Sequence, residues 1–333
     1  MQVEIASTSS LDEDKWNELL EKSPQSTVYH TKSWAEVWEK SFPGSNSFFI
    51  VCTDEKGDYL AGIPIWQREK FGLKSLYSMP FDTYGGIIKR IKADDQIVFP
   101  VYEKLKEIIE KERVIQAQVV DFFSIQHHLC NLGFRSRRIY SHMLSLDRID
   151  ENDYLASFNQ KRREKIRQSQ RRGGKAEDIR SLEDVRECYK LLMDTYRRHK
   201  VKPLKYTLRF FENIFSIMGK RNLLKWVIVL KDEKLIASLI NFAFKDTVYA
   251  WKGASASREL DLRPNDLKYL FSILWAKKNG FKFFNFGTTP EFAEGMIKFK
   301  ESWGAQRYEY LIHDKKKGLG KLLDRIRNIS RKK

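Results

Sequence analysis

The sequence predicts an α/β protein with mixed sheets, built as two similar halves, and three observations carry that expectation. Its 333 residues exceed one ordinary core and suit two domains of about 150 residues. Amphipathic helical patterns alternate with short apolar runs along the chain, the order that gives layered α/β folds. The second half then repeats the first. TDEKGDYLAGI, starting at Thr53, is echoed by LKDEKLIASLI, starting at Leu230, each a hairpin of two apolar runs around a polar turn. The halves are expected at 1–150 and 151–333. Hydrophobic residues make up 42% of the chain, with 22 Phe, 14 Tyr and 8 Trp, so each half has material for a core and intrinsic disorder is excluded.

In the first half, Met1 to Ile5 alternates as a short strand, and Ser10 caps a helix carrying Trp16, Leu19 and Leu20 on one face. A second helix, Thr31 to Phe42, aligns Trp34, Val37 and Trp38 and stops at Pro43-Gly44. The hairpin Phe48 to Trp66 follows, then an extended stretch from Tyr77 to Ile88 and a helix from Tyr102 to Glu112. A buried strand, Gln116 to Phe123, and an extended segment from Gly133 to Leu146, holding Tyr140 and His142, end the half. The second half reproduces the series. Ser181 caps the helix Leu182 to Tyr196, and Leu208 to Met218 supplies the next helix. The hairpin Trp226 to Phe242 and the strand Thr247 to Trp251 come next, followed by the helix Leu267 to Asn279, capped by Asn265 and closed by Gly280.

Phe281 to Ala305 is where the copies differ. Lys282 to Phe286 reads as a strand ending at Gly287, Thr288-Thr289-Pro290 breaks it, and Gly295 to Trp303 reads as a short helix with Phe299 and Trp303 on one face. Asp121-Phe122-Phe123 lies opposite Asn285-Phe286-Gly287, and Asn131 to Phe134 lies opposite Ser302 to Ala305. Strand to glycine takes 12 residues in the first copy and 19 in the second, so Thr288 to Met296 forms an added loop. Leu129 stands opposite Lys300. Because the scaffold is common to both halves, the chemistry is expected where they diverge, at the carboxyl end of a strand.

The 61 Lys and Arg against 44 Asp and Glu give a formal charge of +17, which favours nucleic acid, anionic head groups or phosphorylated substrates as partners. Cations concentrate in Lys161 to Arg172, expected as a connecting helix over 158–172 closed by Gly173-Gly174. They concentrate again in a C-terminal helix expected over 315–333, where Leu319, Leu322, Leu323, Ile326 and Ile329 share a face among nine Lys or Arg. That tail reads either as a membrane-surface helix or as a terminal helix packed on the second domain. Arg171-Arg172-Gly173-Gly174-Lys175-Ala176 spells the R-x-x-G-x-A pattern of pyrophosphate cradles. It ends a helix rather than opening one, so its amides do not converge on an anion. No apolar run approaches a membrane span and MQVEIASTSS is no secretory leader, so a cytoplasmic protein is expected, with the inner membrane face as its membrane contact. Cys52, Cys130 and Cys188 form no C-x-x-C pair and the six histidines show no metal spacing, so buried thiols and no metal are expected.

Val28-Tyr29-His30-Thr31-Lys32-Ser33-Trp34, Tyr84-Gly85-Gly86, the run from Lys161 to Gly174, and Phe286-Gly287 followed by Phe299-Lys300-x-x-Trp303-Gly304 resemble the Fem-type peptidyltransferases, the FemABX family, over most of the chain. The last motif is the most specific. The resemblance implies two tandem GNAT-like acyltransferase domains and transfer of an amino acid from aminoacyl-tRNA to an amine of a peptidoglycan precursor. The chain departs from the family at Asn285, where the strand often ends Asp-Phe-Gly, at Gly85-Gly86, where Gly-Pro is frequent, and in lacking a long coiled-coil arm. An acyl-CoA or acyl-carrier-dependent N-acyltransferase acting on a sugar or polysaccharide amine is the alternative. A non-catalytic basic adaptor that binds RNA or membrane is the second.

Moving an acyl group to an amine requires a neutral amine, alignment and stabilisation of an oxyanion, without an enzyme nucleophile. No G-x-S-x-G or Ser/His/Asp arrangement is present. Lys300 is the first catalytic candidate, as electrostatic stabiliser or holder of donor phosphate, against the alternative of a surface lysine. Asp82 and Tyr84 are candidates for orienting or deprotonating the amine. Arg162, Arg163 and Arg167 are candidates for binding phosphate. Trp34, Tyr249, Lys252, Asn285, Gly287, Thr288 and Phe299 are candidates for lining the substrate site. No permanently bound cofactor is expected. The donor is aminoacyl-tRNA or, in the alternative, acyl-CoA, and the acceptor a phosphate-bearing cell-wall or sugar precursor.

Overall fold

The computed structural model describes residues 1–80, 83–123, 128–198, 206–318 and 320. The chain divides into two compact units, Met1–Ile139 with a returning segment from Glu309, and Tyr140–Tyr308.

The first unit runs β1 (Gln2–Ser7), α1 (Glu13–Lys22), α2 (Lys32–Ser41), β2 (Ser45–Thr53), β3 (Tyr59–Lys70), β4 (Leu73–Ser78), β5 (Ile88–Lys89), α3 (Val98–Lys111), β6 (Val114–Asp121), α4 (His128–Asn131) and the start of β7 (Arg135–Ser145). The cap of α1 is Asp12, not Ser10, and the helix buries Trp16, Leu19 and Leu20. Successive strands β1 to β4 pair antiparallel, whereas β4 and β6 are parallel because α3 carries the chain back between them. The buried face of α3, with Val101, Leu105 and Ile108, shares one core with Ile50, Ile63 and Ala117.

The second unit continues with the rest of β7, then α5 (Gln160–Arg171), β8 (Lys175–Asp178), α6 (Leu182–Arg198), α7 (Leu208–Asn213), β9 (Leu224–Lys231), β10 (Lys234–Phe244), β11 (Thr247–Ser255), α8 (Pro264–Lys278), β12 (Phe283–Thr289), α9 (Glu294–Glu301) and the start of β13 (Gln306–Lys316). The plan is that of the first unit: an antiparallel hairpin, β9–β10, and a parallel pair, β11 and β12, joined by α8. The helix α8 begins with Pro264 after Arg263 in the left-handed region, so Asn265 sits inside its first turn rather than capping it.

Strand order is β1-β2-β3-β4-β6-β13 in the first unit and β7-β12-β11-β10-β9-β8 in the second. This corrects the expected division at 150. Leu311 to Lys316 of β13 pair with Asp121 to Gln116 of β6, and Tyr140 to Ser145 of β7 pair with Thr289 to Phe283 of β12. The closing strand of each sheet therefore comes from the other half of the sequence, drawn there by backbone hydrogen bonding at an open sheet edge. The pairing also takes Lys315 and Lys316 into β13, so the C-terminal helix expected over 315–333 does not begin there. Positions 319 and 321–333 lie outside the described residues. Among the described residues the longest helix is α6, with 17 residues, and no helix is long and apolar enough to cross a membrane. Cys52 and Cys188 are buried as expected, but Cys130 is exposed, since α4 turns it away from the core that takes Leu129.

Candidate functional site

The parallel ladder of the second unit is short. β11 pairs with β12 only at Thr247 to Tyr249 against Phe283 to Asn285, although β11 continues to Ser255 and β12 to Thr289. The carboxyl ends of the two strands therefore lie beyond the ladder, the position where open α/β sheets take ligands. On the other edge of β12 the register with β7 slips between Asn285 and Thr288, so Phe286 and Gly287 stand against the single residue His142. This is a β-bulge. Gly287 has φ 74°, and a Cβ there would lie 2.8 Å from the Ala250 carbonyl oxygen, so no other residue fits without displacement. Buried Asn285 holds the bend: its Oδ1 accepts from Ser141 Oγ at 2.7 Å and from the Gly287 amide at 2.8 Å.

Lys300 reaches the same strand end from α9. The residue is 3% exposed, and its Nζ donates to the carbonyl oxygens of Gly287 (2.7 Å) and Thr288 (3.2 Å) and to Thr289 Oγ1 (2.7 Å). Those acceptors match the three hydrogens of an ammonium group. Lys300 thus pins the end of β12 and fixes a positive charge there. The phosphate contact expected from the sequence gives way to a positioning role, because the hydrogens are already engaged. Thr289 Oγ1 also lies 3.0 Å from His142 Nδ1. Burial, and then the charges of Lys300 and Arg307, push His142 down to about 4, so the imidazole is neutral near pH 7. His142 and Ser141 were not candidates in the sequence, and Thr289 entered only within the expected Thr288 to Met296 loop, whose first two residues the structure places in β12. The one signal of His142 and Ser141 was a place in an extended segment, and nothing local reveals that β7 pairs with β12.

Other candidates lie elsewhere. Trp34 and Tyr84 are corrected to the aromatic core of the first unit. Both are buried against Tyr29, and Tyr84 also packs on Phe122 and Tyr310, so neither side chain is open to substrate. Asp82 lies outside the described residues. Arg162 is also corrected. Its buried guanidinium is paired with Asp266 and Ser302 Oγ and stacks over Trp303 at 4.3 Å and Phe299 at 5.0 Å. Enclosed in this way it ties α5 to α8 and α9 and is not open to a substrate phosphate. Phe299 is half-buried beside Arg162 and Tyr269. Tyr249 is buried in the ladder opposite Asn285, and Lys252 lies over the rings of Trp251 and Tyr206.

Arg163 and Arg167 do come together. They line an open cleft of about 430 Å³ with Asp153, Leu155, Ala156, Gln160 and Glu164. The expected connecting helix is α5, capped by Asn159, whose Oδ1 accepts from the Arg162 amide at 2.9 Å. Lys161, Arg163, Lys165, Arg167 and Arg171 on α5 are exposed or half-exposed, against Glu164 as the helix's acidic residue. That face attracts polyanions. Among the described residues no group of three or more His, Cys, Asp or Glu is arranged to hold a metal ion.

The opened parallel pair and its helix define a class. Residues 160–308 match a family model described as an acetyltransferase (GNAT) domain, so the second unit carries an acyltransferase domain of the GNAT type. Solved structures of similar architecture cover nearly all of it. FemX shares 14% identity over 93% of this chain and 97% of its own, with a TM-score of 0.73. The C-terminal domain of a putative lysylphosphatidylglycerol synthetase from Agrobacterium fabrum shares 12% over 93% and 94%, with a TM-score of 0.61. A tandem GNAT protein from the clavulanic acid biosynthesis pathway shares 9% over 95% and 99%, with a TM-score of 0.60. At these identities the likeness is one of fold, a mixed α/β chain of tandem GNAT architecture. No curated protein matches the sequence.

Proposed function

We propose that the protein transfers an aminoacyl group from aminoacyl-tRNA to an amine of a peptidoglycan precursor. The observation that carries the reading is the buried Lys300 clamp, set by the Phe299-Lys300-x-x-Trp303-Gly304 motif at the bulged end of β12, beyond its ladder with β11. A fixed cation at an opened strand end suits a reaction whose transition state gathers negative charge on an acyl oxygen. The amine attacks directly, and the site's contribution is alignment and electrostatics. The cationic face of α5 supports a polyanionic donor, and the Arg163–Arg167 cleft supports a phosphate-bearing acceptor. The whole-chain likeness to FemX agrees with this reading. Work at the inner membrane face belongs to the same proposal.

A second reading is an acyl-CoA-dependent N-acyltransferase acting on a sugar amine, favoured by the acetyltransferase description of the matched domain. Purified protein incubated with labelled aminoacyl-tRNA or labelled acyl-CoA, together with a peptidoglycan precursor or an amino sugar, separates the two. Label is expected on the precursor from charged tRNA. Turnover of acyl-CoA alone would overturn the proposal.

A further inference from the structure

The Lys300 clamp determines where the protons around it sit. Thr289 is 1% exposed, and its hydroxyl has two neighbours, Lys300 Nζ at 2.7 Å and His142 Nδ1 at 3.0 Å. An ammonium can only donate, so Thr289 Oγ1 accepts from Lys300; the other atom in reach is Nδ1 of His142, and donating to it satisfies the hydroxyl hydrogen, which accepting from an Nδ1–H would leave unpaired. A neutral imidazole that accepts at Nδ1 carries its proton on Nε2. His142 is 1% exposed, and its Nε2 has no hydrogen-bond partner. A buried donor left unpaired costs stability and calls for a ligand. His142 also stands against Phe286 and Gly287, the bulge that lies outside both ladders flanking β12.

We propose that displacement of this bulge admits the donor substrate and that the Nε2–H of His142 then donates a hydrogen bond to its acyl carbonyl oxygen, as the last link of a chain from Lys300 through Thr289. This rests on the acyl-transfer reading, and it applies to an oxygen ester and a thioester alike. As the amine nitrogen bonds to the acyl carbon, the carbonyl π pair moves onto oxygen. On collapse the carbon–oxygen or carbon–sulfur bond breaks, and the leaving atom takes the proton shed by nitrogen. The Nε2–H meets the oxyanion between these steps, and polarisation by the ammonium strengthens it as a donor. Burial and the charges of Lys300 on α9 and Arg307 on β13 keep the ring neutral, which the chain of donors requires.

The test compares wild type, His142→Asn and His142→Gln with aminoacyl-tRNA and, separately, acyl-CoA. Asn keeps an acceptor near the Nδ1 position and loses the distal donor; Gln keeps a distal N–H and loses that acceptor. His142→Asn is expected to lose about 10²- to 10³-fold in kcat with KM unchanged, and Gln to retain more than Asn. The reverse order, or wild-type kcat in both, overturns the inference. Nitrogen NMR of histidine-labelled wild type provides a reading that needs neither variant to fold: an Nε2–H tautomer at His142 is expected, and an Nδ1–H tautomer overturns it. A wild type inert with both donors removes the acyl-transfer reading itself, and this role with it.

Discussion

In the first unit β4 stays paired with β6 from Lys74 to Ser78, its last residue, and the Val120 amide adds a bond to Ser78 Oγ at 3.0 Å. In the second unit the equivalent ladder stops at Tyr249 and Asn285, although β11 runs on to Ser255. The helices that follow differ in the same sense. α4 puts Leu129 into the core beside Leu105 and Val119, whereas α9 brings Lys300 to the end of β12. One architecture thus serves as a closed scaffold in one copy and as an opened strand end with a fixed cation in the other. The scaffold is common to both units; the interrupted ladder, the bulge and the buried charge set the candidate site apart.

That contrast can be broken from either side. The largest effect is expected from Leu129→Lys, which places an ammonium in a core where the native side chain is apolar. The cost of several kcal/mol is comparable with the stability of a whole domain, so the cooperative urea transition of the first unit should disappear. If the variant folds normally, the two positions are less different than their surroundings indicate. Next comes Asp266→Ala, which strands the buried Arg162 guanidinium and should cost about 3–5 kcal/mol by denaturant midpoint. Replacing both partners by apolar residues should restore most of that loss.

Acid should weaken both units through their buried histidines. His30, enclosed between Thr27 and the Gly86 carbonyl, is pushed by burial from 6.5 down to about 4, and His142 likewise falls to about 4. The folded pKa lies below the unfolded one, so the unfolded chain binds more protons between these values. Stability is therefore full above about pH 6.5 and falls as pH drops towards 4, with His30 contributing on the order of 3 kcal/mol. Urea midpoints that stay constant from pH 7 to about 4 would contradict this burial. Lys300→Met comes next: two carbonyls and the Thr289 hydroxyl lose their donor, costing about 1–3 kcal/mol and about 10²-fold in transfer rate. Arg163→Gln with Arg167→Gln should change stability by no more than about 0.5 kcal/mol. It should lower the salt dependence of donor binding by about one unit of log–log slope per arginine, read from binding isotherms at several salt concentrations.

Much of this was legible in the residues. Trp16, Leu19 and Leu20 announced the buried face of α1, the Asp54 to Asp58 and Lys231 to Lys234 turns announced the hairpins, and the unequal spacing from strand to glycine pointed at β12. Asn285, Gly287, Thr288 and Lys300 were singled out and do meet at one strand end. Trp34, Tyr84 and Arg162 were misjudged because an aromatic or a cation looks the same in sequence whether it faces a substrate or a core. Arg162 sits in a basic run that otherwise meets solvent, and only its helical phase, shared with Ile166 and Ser169, sets it apart.

The sequence by itself determined the period of each element, the turns between them, the duplication and the motif around Lys300. Periodicity reports which face of an element is buried, since it depends only on neighbouring residues. It does not report what that face is buried against. The bond from Ser141 to Asn285 joins residues 144 apart, and that between His142 and Thr289 joins residues 147 apart. Both exist because β7 closes the sheet of the second unit, a choice made by hydrogen bonding along an open strand edge rather than by local propensity. Tertiary structure alone therefore decided that Lys300 is a clamp, that Arg162 is core, and that a histidine outside every recognisable motif stands beside the candidate site.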